Sequence, residues 1–119
     1  MPNPIVHWEV YGKDGKKLEE FYKNLFDWHV EHIDQMNYGM VDTHAEGGIN
    51  GGIGQETEQT PARVTFYVQV NDLDAYLKKV ERLGGKTIAP PMEVPNVVTF
   101  AMFADPEGNI IGLVKEGTM

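Results

Sequence analysis

His7 and Glu9 have side chains suited to acid–base chemistry, and they lie two positions apart in a segment of alternating polarity. The segment from Ile5 to Val10 is typical of a β-strand, on which residues two apart project from the same face. Because imidazole titrates near neutral pH, the pair predicts a catalytic centre that binds a substrate or moves a proton. The alternative is a hydrogen-bonded pair that only fixes the strand. A metal held by this pair is disfavoured, because tight sites take three or more protein ligands.

A second polar row lies on the strand predicted from Val64 to Val70, where Thr65, Tyr67 and Gln69 share one face. Thr65 and Tyr67 are therefore candidates for substrate binding. Tyr67 can donate a hydrogen bond to a ligand or stack on it. The alternative is a packed tyrosine whose hydroxyl faces water.

Asn50 is a third candidate for substrate binding, because it lies in the glycine-rich segment from Gly47 to Gly54. Glycines in a strand allow a ligand or another backbone to approach closely. The alternative, which the composition favours, is that these glycines mark bulges in a curved strand.

The composition restricts the classes of partner. The chain has 119 residues with a formal net charge of −8 and no cysteine, which excludes disulfides and thiolate chemistry. So acidic a surface, with no basic stripe, disfavours nucleic acid as a partner. No apolar run approaches the ~20 residues that span a bilayer, and the N-terminal residues do not resemble a signal peptide. We therefore expect no membrane partner and a cytoplasmic location.

The elements that must position these residues occur twice. In the first half, a helix with its possible N-cap at Asp14 follows the first strand, and its apolar residues recur at i, i+3, i+4 and i+7. In the second half, Asp72 is the candidate N-cap and Gly84-Gly85 ends the helix. Superposing the halves places His7 on Thr65 and Asp14 on Asp72, which indicates a tandem duplication.

Each predicted helix is followed by strand-like segments, at 28–33, 38–43 and 48–53 in the first half and at 86–88, 97–104 and 110–114 in the second. Asp105-Pro106-Glu107-Gly108 suits a type I turn, and residues 55–61 are typical of a linker. The sequence predicts an α+β fold in a single domain, 1–119. Two tandem βαβββ modules, about 4–56 and 61–117, form curved mixed sheets around a cleft, a natural small-molecule site.

Periodicity also predicts which apolar and imidazole side chains are buried. The predicted core residues are Phe21, Tyr22, Leu25, Trp28 and Phe66. In contrast, His29 and His32 are three apart on a predicted strand, so they face opposite ways and are expected at the surface.

Six motifs in a fixed order make the chain resemble the vicinal oxygen chelate superfamily, which includes glyoxalases, bleomycin-resistance proteins and dioxygenases. The resemblance covers residues 5–116 and is to its small bacterial glyoxalase-related members. The motifs are His7-Trp8-Glu9-Val10, Phe21-Tyr22-x-x-Leu25-Phe26-x-Trp28, Gly47-Gly48-Ile49-Asn50-Gly51-Gly52-Ile53, Val70-Asn71-Asp72-Leu73-Asp74-Ala75, Gly84-Gly85-Lys86 and Asp105-Pro106-Glu107-Gly108-Asn109.

The resemblance implies a cleft in which a divalent metal chelates the oxygens of the substrate. The four ligand positions of the family fall on the first and last strands of each half. Here they correspond to His7, Thr65, Gly51 or its neighbour Gly52, and Gly112. Since only His7 can ligate tightly, the sequence predicts no metal and no other cofactor. It therefore does not favour true glyoxalase I or extradiol dioxygenase activity.

Two functions remain open. The first is a lyase or isomerase related to lactoylglutathione lyase, acting on a small oxygenated substrate through His7 and Glu9. The second is a metal-free ligand-binding or antibiotic-sequestering protein of the bleomycin-resistance type. Met92 and Glu93 fall in a segment, 89–95, where relatives place a loop over the cleft, so they are further substrate-binding candidates. The alternative is a simple connector. Because relatives commonly pair, the resemblance also implies a homodimer.

Overall fold

The computed structural model describes residues 2–117 and contains two copies of a βαβββ arrangement. The predicted α+β class and module order are therefore confirmed. The first copy consists of β1 (Ile5–Gly12), α1 (Gly15–Phe26), β2 (His29–Ile33), β3 (Tyr38–Asp42) and β4 (Gly51–Gln55). The second consists of β5 (Arg63–Val70), α2 (Leu73–Arg82), β6 (Lys86–Val94), β7 (Val98–Ala104) and β8 (Ile110–Lys115).

The described chain forms two compact units. Residues 7–65 form the first unit, and residues 2–6 with 66–117 form the second. In the first unit the strand order is β2-β3-β4-β1, with β1 parallel to β4. In the second it is β5-β8-β7-β6, with β5 parallel to β8. The strands of the two units therefore share one topology. The module boundaries given above remain a prediction.

The helix starts occupy the expected positions. The Asp14 carboxylate accepts a hydrogen bond from the Lys17 amide at 3.1 Å, and the Asp72 carboxylate accepts one from the Ala75 amide at 3.0 Å. Both bonds satisfy amides that have no partner inside the helix. Gly84 follows α2 with φ of +99°, a conformation that favours glycine. No helix within residues 2–117 is long and apolar enough to span a membrane.

The segment 89–95, expected to be irregular, lies mostly within β6, so that expectation was wrong. The register of β6 against β7 shifts between Thr87 and Ala89 and again between Ala89 and Met92. Pro90 and Pro91 lie inside the second shift. Proline lacks an amide hydrogen and is tolerated on an edge strand or at a bulge, and β6 is the last strand of its sheet. The prolines suggested an irregular segment, but the sequence alone did not indicate that the residues around them pair with β7.

Helix α1 buries a different face from the one predicted. Phe21 and Leu25 are each 56% exposed, and Phe66 of β5 is 37% exposed, so their assignment to the core was wrong. The buried residues of α1 are Gly15 and Glu19. Periodicity identifies residues that share a helix face, whereas the tertiary contacts of the helix decide which face comes close to the sheet.

His32 was wrongly predicted to be a surface residue, because Glu19 approaches it closely. Its Nδ1 lies 2.7 Å from Glu19 Oε2, and the two side chains are only 21% and 11% exposed. A Cβ on Gly39, the residue paired with His32 across the sheet, would lie 2.7 Å from the Glu19 carboxyl carbon. The glycine therefore leaves the space that the carboxylate fills. His29, in contrast, is exposed as expected.

Candidate functional site

Three buried polar side chains meet in the first unit. The His7 Nε2 atom lies 2.9 Å from the Tyr38 hydroxyl oxygen, and that hydroxyl donates to Glu9 Oε2 at 2.8 Å. His7 Nε2 and Glu9 Oε2 are 4.0 Å apart. Each of the three residues is 7% exposed. The common orientation predicted for His7 and Glu9 is therefore present, but a tyrosine joins them. We refer to His7, Tyr38 and Glu9 as the polar triad.

A glycine on β4 makes room for the tyrosine. Gly52 pairs with Glu9 on one side and with Met40 on the other. A Cβ on Gly52 would lie 1.7 Å from the Tyr38 hydroxyl oxygen and 2.0 Å from the ring carbon that bears it. No side chain at this position is compatible with the tyrosine where it stands. Because position 52 is a glycine, the Tyr38 side chain can extend from β3 over β4 and place its hydroxyl beside the side chains of β1.

The charge state of His7 follows from its burial. Desolvation lowers the pKa of His7 from 6.5 to about 4, so the imidazole is neutral at pH 7. The tyrosine hydroxyl has a single proton, and this proton points to Glu9. In this arrangement His7 Nε2 carries the imidazole proton, and its N–H donates a hydrogen bond to the Tyr38 oxygen. Hydrogen bonds therefore run in one direction, from His7 through Tyr38 to Glu9.

Tyr11 and Arg63 are two further polar side chains of the first unit. Tyr11 follows Glu9 by two positions on β1, and the guanidinium carbon of Arg63 lies 5.5 Å from the Tyr11 ring centre. The pKa of Tyr11 is raised to about 12, first by burial and then by the Glu9 carboxylate, while Arg63 opposes the rise. Tyr11 is therefore protonated at neutral pH, with a carboxylate and a guanidinium close enough to affect it.

The sequence reasoning missed Tyr38, Tyr11 and Arg63. The sequence pattern could have indicated two of them. Tyr11 lies two positions after Glu9 and Arg63 lies two positions before Thr65, so each shares a strand face with a predicted site residue. No sequence pattern indicated Tyr38, because its position in the site depends on the pairing of β3 with β4.

Two other predicted site residues belong to the first unit. Thr65 is buried at 3% exposure. Asn50 is exposed, and its side-chain oxygen accepts a hydrogen bond from the Thr43 amide at 3.0 Å. This contact gives Asn50 a role in fixing the connection between β3 and β4. A part in substrate binding remains a prediction for both residues.

The remaining predicted site residues lie in the second unit. Tyr67 is buried, and its ring covers Gly112, where a Cβ would lie 2.2 Å from a ring carbon. Met92, 48% exposed, pairs with Phe100 on β7, and Glu93 is exposed and pairs with Thr99. Glu93 also borders a shallow depression of about 290 Å³, whose other lining residues are Val94, Asn96, Val97, Val98, Thr99 and Gly117. Ligand contacts by Tyr67, Met92 and Glu93 remain predictions.

The profile of the Glyoxalase/Bleomycin resistance protein/Dioxygenase superfamily matches residues 4–113. The chain belongs to this superfamily. It is 31% identical to the anthracycline biosynthesis protein DauV of Streptomyces sp. strain C5, covering 99% of this chain and 49% of DauV. It is 29% identical to a glyoxylase-like domain-containing protein of Didymella fabae, covering 88% and 91%. The chain thus spans about half the length of DauV.

The fold also agrees with solved structures of the superfamily. Methylmalonyl-CoA epimerase from Mycobacterium tuberculosis matches with a TM-score of 0.68 and 14% identity, covering 93% of this chain and 86% of the epimerase. At that identity the likeness concerns the fold alone.

The metal that this superfamily implies does not fit the residues present. Gly52 pairs with Glu9 as Gly112 pairs with Tyr67, so these two glycines are equivalent positions in the two units. The Tyr38 hydroxyl fills the space above one glycine, and the Tyr67 ring fills the space above the other. Within residues 2–117, no three His, Asp or Glu side chains cluster closely enough to hold a metal ion. The donor set lacks the three or more ligands that a tight site needs.

Proposed function

We propose that this chain catalyses metal-independent proton transfer at a carbon next to a carbonyl group, as a lyase or isomerase of its superfamily acting on a small oxygenated substrate. The polar triad carries this proposal. A carboxylate and a neutral imidazole held by one hydroxyl, and largely shielded from water, are the parts that general acid–base catalysis uses.

Glu9 acts as the base in this proposal. A carboxylate has two oxygens and about four acceptor sites, so a hydrogen bond from Tyr38 does not by itself prevent it from taking a proton from carbon. The electron pair of the broken C–H bond then moves onto the carbonyl oxygen and forms an enolate. Returning the proton to the same or a neighbouring carbon completes an isomerisation. Tyr38 and His7 position Glu9, and the neutral His7 adds no charge that would stabilise the resting carboxylate.

Pyruvate in D₂O provides the test, because loss of its methyl proton NMR signal measures proton exchange next to a carbonyl. We expect catalysed exchange in the presence of EDTA, and a loss of about 100-fold or more in Glu9→Gln, which removes the base. Glu20→Gln, at an exposed position on α1, is the matched control and should exchange at the wild-type rate. Exchange that survives Glu9→Gln, or that stops with EDTA, would contradict the proposal.

A metal-free binding protein of the bleomycin-resistance type is the second candidate. The observation in its favour is that the triad residues hydrogen-bond one another, so they are stable without a reaction to perform. The resemblance to DauV suggests an anthracycline as the probe. Quenching of doxorubicin fluorescence by the protein, with no pyruvate exchange, would favour binding over catalysis.

Assembly as a homodimer, in the cytoplasm and without nucleic acid, completes the proposal. Phe21, Leu25 and Phe26 expose more than half of their surface on α1, and burial in an interface would remove this apolar area from water. Light scattering should give about 27 kDa, twice the chain mass of 13.4 kDa. Phe21→Ser with Leu25→Ser should give the monomer. A wild-type monomer at high concentration would contradict the dimer, and a dimeric double variant would place its interface elsewhere.

A further inference from the structure

We propose that Arg63 binds an anionic group of the substrate, so that the substrate class is a small carboxylate. The inference deepens the proposed function, on which it rests for the reaction at Glu9. The binding of an anion by Arg63 is a separate property, and it can be measured without any turnover.

The first observation is an arginine whose buried Nε atom has no hydrogen-bond partner among the described residues. Arg63 is half-buried, its Nε atom is buried, and no hydrogen-bond partner for Nε lies within residues 2–117. None of the ion pairs formed by those residues includes Arg63. The chain has 18 acidic and only 10 basic residues, so carboxylates to pair with it are plentiful. An arginine with a buried, unpaired Nε atom and no carboxylate in contact within residues 2–117, in a chain so rich in carboxylates, points to an anion from outside.

The second observation is the way in which the guanidinium is held. Its central carbon lies 5.5 Å from the Tyr11 ring centre, a cation–π contact that helps to hold the side chain in place. A guanidinium presents donors in a fixed fork that matches both oxygens of a carboxylate. Lysine offers a single charged point instead. The arrangement therefore selects a planar anion.

The third observation is the position of Arg63 relative to the proposed base. Tyr11 follows Glu9 on the same face of β1, and both the Glu9 and the Arg63 charges act on its hydroxyl. The Glu9 carboxylate alone would repel an anionic substrate. A guanidinium next to Tyr11 offsets that repulsion and anchors the acid group. The substrate's carbonyl-bearing end is then the part left to approach Glu9.

Binding of oxalate tests the proposal, since oxalate is a planar anion with no C–H bond and cannot react. Titration calorimetry in 0.15 M salt, a concentration on the order of physiological ionic strength, should show binding to the wild type. Arg63→Gln should weaken it about tenfold or more, and Arg63→Lys should weaken it less. Arg82→Gln, an exposed arginine on α2, is the matched control and should bind normally. Oxamide, the uncharged analogue of oxalate, should bind less tightly than oxalate to the wild type.

Several results would overturn the inference. These are equal binding of oxalate by wild type and Arg63→Gln, or equal binding of oxalate and oxamide by the wild type. The oxalate–oxamide comparison needs no variant, so it stands even if Arg63→Gln fails to fold.

The inference and the proposed function fail in different ways. If oxalate binding depends on Arg63 but no pyruvate exchange occurs, the inference holds and the catalytic proposal falls. If exchange depends on Glu9 but Arg63→Gln leaves the KM for pyruvate unchanged, the catalytic proposal holds and the inference falls. Methyl pyruvate, which lacks the charge, separates the two readouts further. Its KM should not change in Arg63→Gln, whereas the KM for pyruvate should rise about tenfold or more.

Discussion

Gly52→Ala is expected to destabilise the protein by about 2–6 kcal/mol, because the new methyl group and the Tyr38 hydroxyl cannot occupy the same space. The Cβ would lie 1.7 Å from the hydroxyl oxygen and 2.0 Å from the adjacent ring carbon. Overpacking of this kind typically costs about 1–3 kcal/mol. Displacing Tyr38 also leaves the buried His7 and Glu9 without its hydroxyl, which costs roughly a further 1–3 kcal/mol. Urea denaturation measures the sum.

Two further variants separate these contributions. Tyr38→Phe keeps the ring and removes only the hydroxyl, so it should show the hydrogen-bond part alone. Adding Gly52→Ala to a Tyr38→Ala background should cost much less than adding it to the wild type, because the clashing ring is gone. If Gly52→Ala costs the same in both backgrounds, Tyr38 does not fill the space above Gly52, and the polar triad is not formed as described.

The second large effect is a loss of stability in acid caused by His7. Its pKa is about 4 in the folded protein and 6.5 when exposed, so the unfolded chain binds more protons between these values. Stability from keeping the imidazole neutral is fully present above pH 6.5 and is lost as the pH falls toward 4. The gap of 2.5 pKa units corresponds to about 3 kcal/mol. The free energy of unfolding should therefore fall by about that amount between pH 7 and pH 4 on account of His7 alone.

Carboxylates also titrate in this range, so the comparison is made against His7→Gln, which cannot titrate. The difference in unfolding free energy between wild type and variant should shrink steadily as the pH falls from 7 to 4. Urea denaturation at half-unit intervals of pH provides the curve. Parallel curves for the two proteins would mean that His7 is solvated rather than buried, and the hydrogen-bond direction assigned to the triad would lose its basis.

Local signals in the sequence predicted the framework and part of the site. Asp14 and Asp72 mark helix starts because a short acceptor there satisfies free amides, an effect that needs only neighbouring residues. His7 and Glu9 share a face because alternation along a strand is a local property. The same local rules failed for Phe21 and Leu25, which share a helix face that the sheet does not cover.

The sequence by itself determined the βαβββ repeat, the superfamily and the glycines at positions 52 and 112, since each follows from residue identity and order. Only the tertiary structure decided which side chains fill the space above those glycines. Tyr38 reaches Glu9 because β4 lies between their strands and has a glycine at the position paired with Glu9. Arg63 meets Tyr11 although more than 50 positions separate them in the printed sequence. Contacts of this kind depend on strand pairing and on space left by absent side chains, which no local pattern records.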